Sequence, residues 1–133
     1  MKKQIEQVKE FNKVFGIKDV SPTLRHDMIY EELNEYYDAS HKIQVFIMEG
    51  GLQDLELDID KAEQADAIGD LLYLLFGAAI DAGLANKIEE IFDEIHRSNM
   101  SKIEDGVVLR REDNKILKGK YYFKPNIEQI LNK

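Results

Sequence analysis

The sequence predicts an all-α fold of four-helix-bundle type, closed by a small C-terminal hairpin and a short terminal helix. Three observations carry that expectation. Apolar residues recur at three- and four-residue spacing through most of the chain, glycine and Ser-Pro signals punctuate it at helix-length intervals, and β-prone texture is confined to the stretch after Lys102. At 133 residues with 44% hydrophobic side chains, one domain over residues 1–133 is expected, with a helical core over about 3–102 and an appendage over about 103–133.

The elements follow in order. Ile5, Val8, Phe11 and Phe15 make one stripe and Gly16 is a stop, so the first helix is expected over about 3–15. Ser21-Pro22 reads as an N-cap followed by a proline tolerated in the first turn, opening a second helix that runs to about Met48. "EGG" at 49–51 is expected to break it, and "LQDLELDIDK" reads as an acidic connection with room for a short helical turn. A third helix is expected from about Asp60 to Ala82, ended by Gly83. The fourth lies in "NKIEEIFDEIHRSNMSK", with Asn86 as N-cap and Ile88, Ile91, Phe92 and Ile95 on one side. "GVVLRREDNKILKG" then places two β-prone runs around a turn at "EDN", and "KPNIEQILNK" closes with a short helix.

Composition narrows the function classes. A net charge of -8 and a pI near 4.9 argue against a nucleic-acid polymer or an anionic membrane as partner, and a phosphorylated ligand would need a cation as intermediary. The absence of cysteine removes disulfides and thiolate metal sites. The uncharged run Leu71–Ile80 is too short to span a bilayer, and the start "MKKQIEQVKEFNKVFG" lacks a signal-peptide pattern, so a cytoplasmic location is expected.

Two acidic stripes carry the chemistry. In "MIYEELNEYYDAS", a helical advance of about 100° per residue puts Leu24, Met28, Glu31, Glu35 and Ala39 on one face, so carboxylates interrupt an apolar stripe. In "EQADAIGDLLYLLFGAAI", Glu63, Asp66 and Asp70 form a second stripe, and the ten residues after Asp70 are apolar all round, as in a segment buried inside a bundle. Carboxylates drawn together out of bulk water must take up protons or bind cations, and an oxygen-only set favours a hard divalent ion such as Mg2+ or Mn2+.

These residues resemble the signature of the all-α nucleoside triphosphate pyrophosphohydrolases, the MazG-like superfamily. "EELNE" has the form EExxE, "EQAD" has the form ExxD, and "DAIGDLLYLLFGAAIDAGL", "EIHRSNMSKIEDG" and "LKGKYYFKPNI" follow in an order similar to the phosphoribosyl-ATP pyrophosphohydrolase-like branch. The resemblance spans about Arg25 to Ile127. It implies Mg2+-dependent cleavage of a nucleoside or deoxynucleoside triphosphate to monophosphate and pyrophosphate by an activated water, in a homodimer or homotetramer. Glu31, Glu32 and Glu35 match the EExxE acids, with Glu31 or Glu32 as the base that takes the water's proton and Glu32 and Glu35 as metal ligands. In the second stripe either Glu63 and Asp66 form the ExxD, or Asp66 and Asp70 serve in a DxxxD variant. The branch pattern favours Asp66 and Asp70, with Ala67 at the position three before Asp70 and Glu63 as the reserve ligand. Asn99, Lys102 and Arg97 at the end of the fourth helix, with Lys118 and Tyr121 beyond it, are the expected substrate contacts.

Two other readings of the residues stand beside this one. A non-catalytic oligomerising helical protein would show no metal dependence, and Asp38 with His41 and Asp93 with His96, at i, i+3 spacing, faintly resemble the ligands of di-iron carboxylate bundles.

Overall fold

The computed structural model describes the backbone of residues 1–49 and 53–133 and the side chains of residues 1–40 and 61–133. Five helices and no sheet are found among the described residues: α1 Lys2–Val14, α2 Pro22–Glu49, α3 Gln53–Asp81, α4 Ile88–Met100 and α5 Ile127–Leu131. The chain is all-α, and its contacts group into two compact units, Lys2–Ala85 and Asn86–Lys133 together with Met1.

In the first unit the helix ends follow local chemistry. α1 stops at Gly16, whose φ of 65° is the left-handed conformation that favours glycine, and Ile17 N–H returns to Asn12 C=O at 2.8 Å. Ser21 Oγ accepts the Leu24 N–H at 3.1 Å, so the expected N-cap of α2 is made. Gly83, with φ 70°, ends α3 in the same manner as Gly16, with Leu84 N–H on Ala79 C=O at 2.7 Å.

The start of α3 differs from expectation. The stretch from Gln53 to Asp60, read as a connection, is helical. It contains no glycine or proline, and adding a residue to an existing helix is far easier than nucleating a new one. Of the expected break at 49–51, Glu49 ends α2, and residues 50–52 lie outside the described ones.

α2 and α3 run antiparallel and form the main packing of this unit, with α1 against α3. Arg25 near the start of α2 pairs with Asp81 at the end of α3, and Gln64 donates to Ser40 Oγ at 2.9 Å further along the seam. Ala39, Ala67 and Ala79 are buried with Ile5 and Val8, and small side chains let the helices approach closely. The apolar stripes are only partly covered. Phe11 and Phe15 stay exposed with rings 4.4 Å apart, and Phe11 also meets Tyr73 edge-on at 5.7 Å. The run after Asp70 is not buried all round as expected, because Leu72 and Leu75 are each 51% exposed. α1 and α2 leave the Ile68, Leu72 and Leu75 side of α3 open.

In the second unit α4 buries Ile91 and Ser98, while Phe92 and Ile95 of the expected apolar side remain exposed. The N-cap position is Lys87 rather than Asn86, with no side-chain cap. Its ammonium instead donates to the carbonyls of Ile130 and Leu131, at 3.0 and 2.7 Å, where the end of α5 leaves acceptors open. Asn126 caps α5 through Gln129 N–H. The expected turn at "EDN" forms, with Asn114 at φ 71° and Leu117 N–H on Leu109 C=O at 2.8 Å, but its pairing is an isolated bridge between Arg110 and Ile116. A second tight turn was not anticipated. Asp105 and Gly106 both have positive φ, and Glu104 and Val107 exchange backbone hydrogen bonds across them, the arrangement Asp-Gly favours.

Candidate active site

Antiparallel packing turns the two acidic stripes toward each other across the α2–α3 seam. Met28, Glu31 and Glu32 of α2 and Asp70, Tyr73 and Leu74 of α3 line a recess of about 360 Å³. Glu35, Asp38 and Ala39 line a second, of about 340 Å³, with Glu63 and Asp66. The expected ligands are thus divided between two recesses along one seam, and Asp38 joins them.

Glu32 is the distinctive member. Its carboxyl is held above the ordinary glutamate range, first by burial and then by the charges of Glu35, Asp70, Asp66 and Glu31. Its Oε2 is buried and has no hydrogen-bond partner among the described residues. A buried unpartnered carboxylate oxygen costs about 1–3 kcal/mol, and the charges that raise its pKa are all acidic. Glu31, Glu35, Asp66 and Asp70 are exposed, able to swing on the surface of the recesses. Among the described residues, no three acidic or histidine side chains already converge as a metal ligand set. The donor set nevertheless suits a hard cation: all its ligands are oxygens, acids crowd both recesses, and one oxygen is already desolvated.

The expected substrate contacts lie in the second unit. Arg97 is engaged by Glu94 through two hydrogen bonds, at 2.8 and 2.9 Å, and its guanidinium lies 4.3 Å over the Phe123 ring. The Arg97 bonds, with a further one from Asn126 N–H, bring the Glu94 carboxyl down to about 2. Arg97 therefore helps hold α4 to the chain leading into α5. Asn99 and Lys102 meet at the end of α4, with Lys102 Nζ donating to Asn99 Oδ1 at 2.7 Å. Lys118 sits 4.5 Å over Tyr122, and Tyr121 donates to Asp105 Oδ1 at 3.1 Å while Lys120 pairs with the same aspartate.

Two residues escaped the sequence reading. Arg25 and Asp81 form a partly shielded ion pair at the far end of the seam, with Nε 2.8 Å from Oδ2 and side chains 13% and 26% exposed. Its sequence trace is spacing alone: Asp70, Leu74, Gly77 and Asp81 recur on one face of α3. Of the di-iron pairs, the side chain of His41 lies outside the described residues. No helix among the described residues is long and apolar enough to cross a membrane.

A family profile described as phosphoribosyl-ATP pyrophosphohydrolase matches residues 2–99, which include both acidic stripes, Arg97 and Asn99. Lys102, Lys118 and Tyr121 lie beyond the match. Comparison with curated proteins gave no match.

Proposed function

The chain belongs to the phosphoribosyl-ATP pyrophosphohydrolase family, hydrolases that act on acid anhydrides of nucleotides, and from that premise we propose that it is a nucleoside triphosphate pyrophosphohydrolase. It takes an NTP or dNTP to monophosphate and pyrophosphate and requires Mg2+, with Mn2+ as a substitute. The observation that carries this reading is Glu32: a buried, unpartnered oxygen among four further acids is a place prepared for positive charge.

Glu32, Glu35, Asp66 and Asp70 would hold the divalent ion, with Glu63 in reserve. When bound, the ion supplies neutralisation of the triphosphate and acidification of the attacking water. Glu31 and Glu32 line the same recess, and either is placed to accept that water's proton when it is not itself a ligand. Asn99 and Lys102, hydrogen-bonded to each other, offer an amide and an ammonium for the outer phosphates, and Lys118 over Tyr122 and Tyr121 bonded to Asp105 are further candidates whose placement needs no ligand to explain it. Arg97 is tied to Glu94, which favours a positioning role over phosphate contact.

The half-exposed Leu72 and Leu75 of α3, beside an exposed Ile68, support a homodimer or homotetramer in which this face finds cover. A cysteine-free chain is compatible with cytoplasmic action. The test is a panel of nucleoside and deoxynucleoside triphosphates with Mg2+, resolving pyrophosphate from orthophosphate. Pyrophosphate as the initial product supports the assignment, and orthophosphate alone refutes it.

A further inference from the structure

An apolar cavity of the first unit lies away from the acids, at the other end of the same seam. It measures about 600 Å³, and Val20, Pro22, Ile29 and Ala78 supply apolar walls. Arg25, half-buried, and Asp81, at the open rim, are its paired polar groups, and His26, stacked parallel on Tyr30, stands at its exposed edge. We infer that this cavity receives the nucleobase of the substrate, an inference that rests on the nucleotide reading above.

Three features select that ligand. First, the cavity is within the size range of small-molecule sites and is neutral, since its cation and anion cancel, so it offers nothing to a triphosphate tail or a metal ion. Second, the ion pair has unused capacity. Arg25 spends Nε on Asp81 Oδ2, and no other hydrogen bond engages its Nη groups or Asp81 Oδ1 among the described residues. The guanidinium lies so close over Gly77 that a Cβ there would be 2.6 Å from Nη1, which fixes the plane of the donors. A ligand with flat apolar faces and an edge carrying both acceptors and donors satisfies the walls and the pair together. An aliphatic ligand would leave the pair's polar atoms covered and unpaired, at a cost. Third, Arg25 precedes Glu32 by two helical turns on one face of α2, about 10 Å along the axis, which is the scale of a nucleoside. A single nucleotide can therefore lie along the seam with its phosphates toward the acids and its base between Arg25 and Ile29.

The test uses adenosine, guanosine, cytidine and uridine as probes of the metal-free protein, with amide chemical shifts as the readout. Nucleosides carry no phosphate, so this experiment is independent of whether the protein hydrolyses triphosphates. At least one nucleoside is expected to bind, with shifts concentrated in residues 20–29 and 77–82. Ala78→Phe, which fills the cavity from one wall, is expected to weaken that binding at least tenfold, leave Mn2+ affinity unchanged, and raise KM far more than it lowers kcat. Should Ala78→Phe not fold, the shift map of the unaltered protein decides alone. No shifts with any of the four, shifts located elsewhere, or nucleoside binding unaffected by Ala78→Phe would overturn the inference even if pyrophosphate release is observed. Localised nucleoside binding without any hydrolysis would sustain the pocket and remove the activity.

Discussion

Replacing Gly77 by alanine sets two terms of known size against each other. In a helix interior the change ordinarily stabilises by about 1 kcal/mol, because alanine loses less backbone freedom on folding. Here the new Cβ would lie 2.6 Å from Arg25 Nη1, 2.9 Å from Cζ and 3.0 Å from Nη2. Relieving those contacts moves the guanidinium by roughly 1 Å, given the normal packing distances of carbon. The end of an arginine can move that far, but its Nε–Asp81 bond is already at 2.8 Å and does not survive the shift. A charge-assisted bond between side chains 13% and 26% exposed is worth about 1–2 kcal/mol after allowance for solvent. Gly77→Ala should therefore be neutral or destabilising by up to about 1 kcal/mol, the difference between those estimates. The same change made on Arg25→Met should recover the full gain of about 1 kcal/mol. Denaturant unfolding of the four proteins, metal-free and at one protein concentration, measures the coupling. Equal stabilisation by Gly77→Ala in both backgrounds would refute the reasoning.

Glu32→Gln should stabilise the metal-free protein by up to about 1 kcal/mol while weakening Mn2+ binding. The Glu32 pKa is raised in the fold, so the native state loses stability as pH rises through it, and the amide removes that loss; a melting temperature unchanged or lowered at neutral pH would count against the orphaned oxygen. Glu35→Gln and Asp70→Asn should each cut Mn2+ affinity at least tenfold by calorimetry, and Mg2+ should raise the melting temperature of the unaltered protein but not of the pair combined. Glu94 titrates in the opposite sense to Glu32. Its carboxyl falls to about 2 in the fold from 4.5, so its contribution is present above 4.5 and is lost as pH falls toward 2. Melts across pH 2–5 should show a shallower acid transition for Glu94→Gln than for the unaltered protein.

What the sequence made legible was chemistry that acts within one turn of helix. Ser21 caps α2, Gly16 and Gly83 end α1 and α3 with positive φ, and the turn at Asn114 forms because each depends on its own residues and near neighbours. Burial was less legible, since it depends on which helices cover which face. The run after Asp70 is apolar on every side, yet Leu72 and Leu75 are only half covered among the described residues. The acids were found by periodicity, because two interrupted apolar stripes can face each other in any close helix pair. Their division into two recesses, and the distinction between Glu31 and Glu32, arise only when α2 and α3 pack. Arg25 and Asp81 stand 56 residues apart and carry no motif, so their pairing comes into view only in three dimensions.

The central claim is attack by water on the α phosphorus of a nucleoside triphosphate with pyrophosphate as the leaving unit, and hydrolysis in 18O-labelled water with Mg2+ tests it most directly. The account predicts label in the monophosphate and unlabelled pyrophosphate, with turnover abolished when Glu32 and Asp70 are both neutralised. Label in pyrophosphate, orthophosphate as the only initial phosphate product, or no turnover of any triphosphate with Mg2+ or Mn2+ would contradict it.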